Sequence, residues 1–500
     1  MKKYQLILIT VVVIIAIISG GAVYASINSG KAETKKDVKA KIVTAKTVTT
    51  NQAVTTAGGV TQTAIQTFPI ADDKGMGYIK VESAVVRDNA VTTGAITIKL
   101  KKRAKIKVDA EKKDAAGKSW TKVTVNENGK TISGWTSSEN IVKEYKDLLS
   151  DKYKSLDFSP IPKAVNYPNN PRRKVKGIYL TLYSAGGERL PKLIEMTKRT
   201  KINSFVIDVK DDNGNMLFKT AAADKFVPKA NNSVPVKDIK ALMTKLKENN
   251  VYTIARIVCF KDPNYAKAYP NRIITRKDTG AAFTNADKLT WVTAYDRNLW
   301  EYNVAVAKEA AAAGFNEIQF DYVRFPASNG GKLDKSLNYG NEKNETKPQA
   351  IQEYLKYARK ELASSNVYIS ADIYGLVGSV EDDMGLGQYW EAVSNVVDYV
   401  CPMMYPSHYG NGTYGLSVPD AYPYETVYNS TKDSVKRNKN IKTPSMIRPW
   451  IQDFTAAWVR GHIGYGETQL RQQIKALEEN GVEEYLLWNA GNRYTEGALK

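Results

Sequence analysis

The stretch EIQFDYVRFP, residues 317–326, decides the fold. It is an apolar strand that ends in a carboxylate, Asp321, followed at once by an aromatic and a guanidinium side chain. Because side chains alternate along a strand, Gln319 and Asp321 share one face, while Ile318 and Phe320 point to the other, against surrounding helices. Strand ends of this kind carry the chemistry of (β/α) barrels, so Asp321 is predicted to lie at a barrel mouth.

Similar strands recur in the C-terminal part of the chain, and helix-like stretches separate them. The other predicted strands lie at residues 177–181, 204–208, 252–256, 367–372, 397–401, 444–448 and 484–488. Amphipathic helices are predicted at residues 236–249, 297–313, 350–364 and 468–480. Regular strand–helix alternation implies a parallel sheet and eight units imply closure, so residues 175–500 are predicted to be α/β, a (β/α)8 TIM barrel.

The N-terminal part is organised differently. A basic start is followed by a long uncharged run, so residues 1–28 are predicted to be a signal peptide or a membrane anchor. We therefore expect an extracellular protein, secreted or anchored to the cell membrane. Residues 29–77 are rich in Thr, Ala and Lys and poor in aromatics, which predicts a flexible linker.

Residues 78–145 consist of short alternating runs broken by polar turns, which predict a small all-β barrel. Its pieces VRD (86–88), WTKV (120–123) and GWT (134–136) resemble the bacterial SH3-like domain. This resemblance implies binding of cell-wall material, with a plain spacer as the alternative. Residues 146–174 are predicted to be a linker with a helix, because residues 141–156 are helix-like and several prolines follow.

The formal net charge is +20, and much of the surplus lies in the linker and the first domain. Basic runs of this kind suit any polyanion. For an exported chain we expect an anionic cell-wall polymer or lipid headgroups as partners, and no nucleic acid. The alternative is a solvated basic face without a dedicated partner.

Charged, polar and aromatic side chains gather at the predicted C-terminal strand ends, which meet at one end of a barrel. They are Asp208, Lys210, Asp211, Arg256, Asp321, Arg324, Asp372, Tyr374, Tyr405, His408, Arg448, Trp450, Gln452, Asp453, Trp488 and Asn489. A sugar ring offers hydroxyls to carboxylates and amides, and an apolar face to Trp or Tyr. The mixture therefore suits a polysaccharide cleft.

Cleavage of a glycosidic bond needs two carboxyl groups, one protonated and one ionised. Asp321 and Asp372 end neighbouring strands and are the predicted catalytic pair, with Asp321 as general acid/base. Asp208 and Asp453 are reserve candidates. The predicted substrate-binding residues are Asp208, Lys210, Arg256, Arg324, Tyr405, His408, Arg448, Trp450, Gln452, Asp453, Trp488 and Asn489. The alternative for each residue is a structural role, such as an ionic layer inside the barrel.

Six strand-end motifs carry a wider resemblance: KGIYLT (176–181), VIDVKD (206–211), IQFDYVRFP (318–326), SADIYG (370–375), PMMYPSHY (402–409) and RPWIQDF (448–454). Through them the segment from Val175 onward resembles a family of glycosyl hydrolase domains found on bacterial cell-surface proteins. The resemblance implies a TIM barrel that cleaves glycosidic bonds. The run Met403-Met404-Tyr405 is also similar to the Met-x-Tyr strand end of chitinase-like hydrolases, although Pro406 stands where that pattern has an aspartate.

Two other function classes compete with hydrolysis. A non-catalytic carbohydrate-binding barrel would hold a wall polymer without creating reducing ends. A zinc-dependent deacetylase needs several histidines on the metal, whereas the chain has only His408 and His462, far apart in sequence. No phosphate-binding or dinucleotide-binding glycine motif follows a predicted strand, so neither a cofactor nor a metal is predicted.

Overall fold

A computed structural model describes residues 65–127, 129–328 and 331–500. The predicted signal or anchor at 1–28, and the linker up to residue 64, lie outside the described residues. Among the residues described, no helix combines the length and the apolar character that a membrane crossing requires.

The N-terminal unit is a seven-stranded sheet with the order β3-β2-β6-β5-β4-β1-β7, and its neighbouring strands are antiparallel wherever they pair. Its strands are β1 (Met76–Ile79), β2 (Ser83–Arg87), β3 (Ile96–Lys101), β4 (Lys105–Lys113), β5 (Ser119–Glu127), β6 (Lys130–Ser137) and β7 (Ile141–Val142). The sheet has an apolar core of its own, which includes Ile79, Val86, Ile106 and Val123. Its likeness to SH3-like domains stays a prediction.

The helix predicted at residues 141–156 does not form. Strand β7 is followed instead by two short 3-10 turns, Tyr145–Leu148 and Asp151–Tyr153. Tyr153 stacks on Tyr389 of the large domain at 4.5 Å between ring centroids, and Tyr145 donates a hydrogen bond to Glu391 at 2.9 Å. The 3-10 turns let closely spaced apolar side chains face the barrel together, which packs the two units against each other.

The large domain contains eight parallel strand positions that close into a barrel. Its strands, with two short outer ones, are β8 (Lys176–Leu180), β9 (Ser204–Lys210), β10 (Tyr252–Val258), β11 (Thr275–Arg276), β12 (Glu317–Asp321), β13 (Leu337–Asn338), β14 (Tyr368–Tyr374), β15 (Tyr399–Met403), β16 (Met446–Ile447), β17 (Trp450–Gln452) and β18 (Tyr485–Trp488). Around the barrel the order is β8-β9-β10-β12-β14-β15-β17-β18, and β16 is the lower piece of the seventh strand. Strands β11 and β13 pair separately outside the barrel. The predicted (β/α)8 TIM barrel is confirmed.

Helices cover the outside of the barrel. They are α1 (Leu182–Ala185), α2 (Arg189–Arg199), α3 (Ala221–Phe226), α4 (Ile239–Glu248), α5 (Pro263–Ala268), α6 (Arg297–Ala313), α7 (Lys347–Glu361), α8 (Trp390–Val396), α9 (Pro423–Asn438) and α10 (Glu467–Glu479). Helix α6 forms at its predicted bounds, because Asp296 caps its first turn and Gly314 ends it in the left-handed conformation.

Candidate active site

Asp321 ends strand β12 at the barrel mouth, where two neighbours fix its carboxylate. Arg256 on β10 donates from Nε to Asp321 Oδ2 at 2.8 Å, and its second guanidinium nitrogen lies 2.6 Å from the same oxygen. The backbone N–H of Tyr322 donates to Asp321 Oδ1 at 2.6 Å. The predicted position of Asp321 at the barrel mouth agrees with the structure, and the guanidinium that contacts it is that of Arg256.

Arg256 joins a second carboxylate to the first. Its NH1 donates to Asp208 Oδ1 at 2.6 Å, and Tyr179 on β8 donates to Asp208 Oδ2 at 2.6 Å. Burial raises the pKa of Asp208 to about 7, although Arg256 and the Tyr179 hydrogen bond both act to lower it. Asp208 therefore changes its charge near neutral pH.

Asp372 on β14 is the most enclosed carboxyl of the site, and it is 1% exposed. Phe320 pairs with Ala371 in the parallel ladder, so Asp321 and Asp372 are the next residues along two neighbouring strands. Burial raises the pKa of Asp372 well above its ordinary value, and the charge of nearby Asp321 raises it further. Trp450 donates its indole N–H to Asp372 Oδ1 at 2.7 Å.

Aromatic rings form one wall of the mouth. Trp488 on β18 stacks on Tyr179 with 4.1 Å between centroids and meets Trp450 edge-on at 5.6 Å. The ring centroid of Tyr405, which follows β15, lies 6.4 Å from that of Trp488. Trp488 is partly exposed, so a flat apolar surface borders the carboxylates, as stacking of a sugar ring requires.

The backbone at Tyr322 is strained. Its φ of 47° lies in the left-handed region, which costs an aromatic residue on the order of 1–3 kcal/mol. In this conformation its ring lies under the Lys261 ammonium, 3.8 Å from the centroid, and meets Trp291 edge-on at 5.7 Å. The strained residue thus supplies both the N–H that holds Asp321 and a ring that carries a cation.

Sequence reasoning missed Asp212 and Lys261. Asp212 Oδ1 lies 3.0 Å from Lys261 Nζ and 3.7 Å from an Arg256 nitrogen, and its side chain is 33% exposed. Burial raises the pKa of Asp212, but Arg256 and Lys261 outweigh that effect and hold the pKa below its ordinary value. The doubled aspartate in Asp211-Asp212 directly after strand β9 is the signal that could have found it.

Arg324 and His408 lie near the mouth without contacting its carboxylates. The Arg324 guanidinium lies 4.9 Å from the centroid of Trp291 and donates to the Phe325 carbonyl at 3.1 Å; it pairs with no carboxylate among the described residues. His408 is half-buried, with Nδ1 3.0 Å from the Ser407 hydroxyl. Burial lowers the pKa of His408 to about 4, so the ring is neutral at physiological pH.

Lys210 does not reach the mouth, which corrects the sequence prediction. Asp208 pairs with Arg256, but Lys210 pairs with Ile257, so one extra residue bulges from β9 between them. The bulge reverses the expected alternation and turns Lys210 outward. There it is fully buried, with Nζ 2.8 Å from Asp262 and 2.6 Å from Asn303 of helix α6.

Arg448 is also placed elsewhere than predicted. It lies fully buried inside the barrel, where its NH1 is 2.9 Å from Glu317, the first residue of β12. Its Nε is 2.8 Å from Glu484, which immediately precedes β18. Both partners belong to the N-terminal ends of their strands, opposite the mouth. Arg448 therefore belongs to an ionic layer that stabilises the barrel floor.

Three further predicted ligands support loops. Gln452 is fully buried, donating to Asp420 at 3.0 Å and accepting from the Ser407 N–H at 3.1 Å. Asp453 accepts from the Thr495 hydroxyl at 2.6 Å and from the Thr495 N–H at 2.9 Å, which engages both oxygens of this reserve catalytic candidate. Asn489 donates to the Asp453 carbonyl at 2.6 Å. These contacts fix the segments around the mouth.

In the part of the chain that the structure describes, no group of three or more His, Cys, Asp or Glu side chains could hold a metal ion. What the site brings together is four carboxyl groups, two cations and an aromatic wall. Asp208, Asp212, Asp321 and Asp372 are the carboxyl groups, and Arg256 and Lys261 are the cations.

Comparisons with solved structures give neighbours of low overall similarity. A hypothetical protein from Ruminiclostridium thermocellum ATCC 27405 is 34% identical over 39% of this chain and 96% of its own, with a TM-score of 0.34. The PgaB (BpsB) glycoside hydrolase domain from Bordetella bronchiseptica is 13% identical over 65% of this chain and 98% of its own, with a TM-score of 0.47. The spore cortex-lytic enzyme SleL of Bacillus megaterium QM B1551 is 13% identical over 68% of this chain and 75% of its own, with a TM-score of 0.39.

No curated protein is significantly similar in sequence to this chain. A family match, in contrast, covers residues 177–494, from the first barrel strand to the segment after the last one. That span is more than half of the chain and contains every carboxyl group of the candidate site. The chain therefore belongs to the family described as putative glycosyl hydrolase domain.

Proposed function

We propose that the protein is a glycoside hydrolase that cleaves a cell-wall or extracellular polysaccharide, with Asp372 as general acid and Asp321 as the ionised partner. The observation that carries this proposal is the unlike environment of two neighbouring carboxyl groups. Asp321 contacts the Arg256 guanidinium at 2.6 Å, whereas Asp372 is enclosed and receives an indole N–H. Carboxyl pairs held in unlike environments are the usual means of assigning acid and base at neutral pH.

The role of each group follows from its protonation. The raised pKa favours the protonated form of Asp372, whose proton can pass to the leaving glycosidic oxygen. Asp321, fixed by Arg256 and by the Tyr322 N–H, is placed to attack the anomeric carbon or to activate water. This assignment exchanges the roles expected from the sequence, where Asp321 was the acid/base.

The surroundings suit a sugar ring. Trp488 offers a partly exposed ring face, and Asp212 offers a partly exposed carboxylate to hydroxyl groups. The strain at Tyr322 is of the kind found where backbone geometry serves a site. A barrel that binds glycan without cleavage would use the same wall, so cleavage is the property to test.

The test is reducing-end release from purified peptidoglycan, chitin oligosaccharides and exopolysaccharide by the full chain. Wild type is compared with Asp321→Asn and Asp372→Asn, and Asp262→Asn serves as a control that removes a buried carboxylate outside the mouth. Loss of either catalytic carboxyl should lower the rate at least about 100-fold. Glycan retention without reducing ends in the wild type would favour the binding barrel, and full activity in Asp321→Asn would remove Asp321 from the mechanism.

We also propose that the protein acts outside the cytoplasm, where such polymers occur. The support is the uncharged run that precedes residue 29 after a basic start. The N-terminal sheet and the basic regions are proposed to hold an anionic cell-wall polymer near the barrel. Membrane attachment through residues 1–28 is part of this proposal if that segment is not cleaved.

A further inference from the structure

Four aromatic side chains form a row that leads from the candidate active site to the protein surface. Ring centroids are 6.4 Å apart between Trp488 and Tyr405, 6.1 Å between Tyr405 and Phe454, and 5.9 Å between Phe454 and Trp458. We call these four residues the aromatic row. It begins in the wall beside Asp321 and Asp372, and it ends on the loop that follows strand β17.

Exposure is lowest at Tyr405, inside the row, and highest at Trp458, the outer end of the row. Tyr405 is 4% exposed, Trp488 and Phe454 are partly buried, and Trp458 is 45% exposed. A single exposed apolar side chain is ordinary on a protein surface. Trp458 differs because it stacks on Phe454 with only 20° between the ring planes, and the Phe454 centroid lies 6.1 Å from that of Tyr405 beside the mouth.

The loop that carries Trp458 is held in place by hydrogen bonds at both ends. Gln452 donates to the Phe454 carbonyl at 3.1 Å, and Tyr465 N–H donates to the Thr455 hydroxyl at 3.0 Å. The Tyr465 hydroxyl donates to the Asp420 carbonyl at 2.9 Å. A ring fixed before binding loses little conformational entropy when a ligand stacks on it.

We propose that Phe454 and Trp458 form a remote glycan-binding subsite that stacks on the apolar face of a pyranose ring several units away from the bond to be cleaved. This inference rests on the proposed function and deepens it, because it defines the substrate as a chain that extends along the aromatic row. Stacking on an exposed indole gains free energy from apolar contact and leaves the sugar hydroxyls in water. The site therefore discriminates by chain length more than by substituent.

The test measures affinity as a function of chain length in the Asp321→Asn background, where cleavage does not consume the ligand. The probes are the disaccharide and the hexasaccharide of chitin and purified peptidoglycan strands, and binding is measured by calorimetry or affinity electrophoresis. Trp458→Ala should weaken the longer ligands by about tenfold, or about 1.4 kcal/mol, and the disaccharide much less. Trp458→Phe, which keeps a flat ring, should recover part of the loss.

Tyr424→Ala is the matched control, since it removes a partly buried ring that stacks on Tyr428 of helix α9, outside the aromatic row. It should leave binding of every probe as it is. An affinity of Trp458→Ala that is unchanged from its Asp321→Asn parent at every chain length, an equal loss at every length, or no binding of any probe by Asp321→Asn would overturn the subsite. Chain-length binding that depends on Trp458 without cleavage by the wild type would instead overturn the proposed hydrolase and leave the subsite standing.

Discussion

Trp450 on strand β17 donates its indole N–H to Asp372 on strand β14, with 2.7 Å between Nε1 and Oδ1. The two residues lie two strand positions apart around the barrel, so the bond crosses the interior. It is the bond that orients the proposed acid. Burial raises the pKa of Asp372, and this hydrogen bond partly offsets that effect by favouring the carboxylate.

Replacement Trp450→Phe should therefore raise the pKa of Asp372 further. If protonated Asp372 is the acid, activity is lost as pH rises through its pKa, and the basic limb of the profile of kcat/KM should move to higher pH. Trp300→Phe removes an indole donor of helix α6 that bonds to the Ala294 carbonyl, and it should leave that limb in place. An unmoved limb in Trp450→Phe would mean that another group titrates.

The stability of the protein should depend on pH through Asp208. Its pKa rises from the ordinary 3.8 to about 7 on folding, so between these values the folded state keeps a proton that the unfolded state releases. The contribution of Asp208 to the free energy of unfolding is thus largest below pH 3.8, and it is lost as pH rises through about 7.

Urea denaturation of wild type and Asp208→Asn at several pH values tests this. The difference in unfolding free energy between the two proteins should shrink as pH rises, by a few kcal/mol at most, because each pKa unit corresponds to about 1.4 kcal/mol. The subtraction cancels the similar contribution of Asp372. Parallel pH curves would show that Asp208 titrates alike in both states.

Two buried arginines should behave differently on replacement by lysine, although both form ion pairs. In Arg256→Lys the single ammonium cannot replace the planar guanidinium that bridges Asp208 and Asp321. Asp321 should therefore be displaced, and kcat/KM should fall by about 100-fold. Arg448→Lys should lower the free energy of unfolding by about 1–3 kcal/mol yet keep kcat/KM of the folded enzyme within about twofold, because its partners lie at the barrel floor. Comparable kinetic losses in both variants would restore Arg448 to the substrate site.

The barrel could be predicted because each of its strands carries a complete local signal, an apolar run with a polar end, and helix α6 even has both of its caps in the sequence. The positions of Asp321, Asp372 and Arg256 at the barrel mouth followed from the same reasoning. Where a strand departs from regular geometry, the prediction was wrong. The bulge in β9 turns Lys210 outward, and the residue composition of that strand does not predict a bulge.

Arg448 shows a second kind of limit. The predicted seventh strand stopped at Arg448, but the real strand resumes after Pro449 and runs to Gln452, so Arg448 lies inside the barrel. Proline has no N–H for the ladder, but Pro449 only interrupts this strand and does not end it. Asp212 was missed for a related reason, since a loop residue reaches a mouth only through tertiary packing.

The neighbours Asp211 and Asp212 provide the last prediction. Asp211 Oδ1 accepts from the backbone N–H groups of Asn213 and Asn215 at 2.9 and 2.8 Å, whereas Asp212 faces Lys261 and the mouth. Asp212→Asn should raise KM by about tenfold with a smaller effect on unfolding, because a partly exposed carboxylate that binds hydroxyls is lost. Asp211→Asn should lower the free energy of unfolding by about 1–3 kcal/mol with KM little changed, because the amide keeps only one of the two oxygens with which Asp211 accepts hydrogen bonds in its turn. Steady-state kinetics and denaturation of both variants distinguish the two roles. A rise in KM confined to Asp211→Asn would contradict the assignment of Asp212 as the residue that binds substrate.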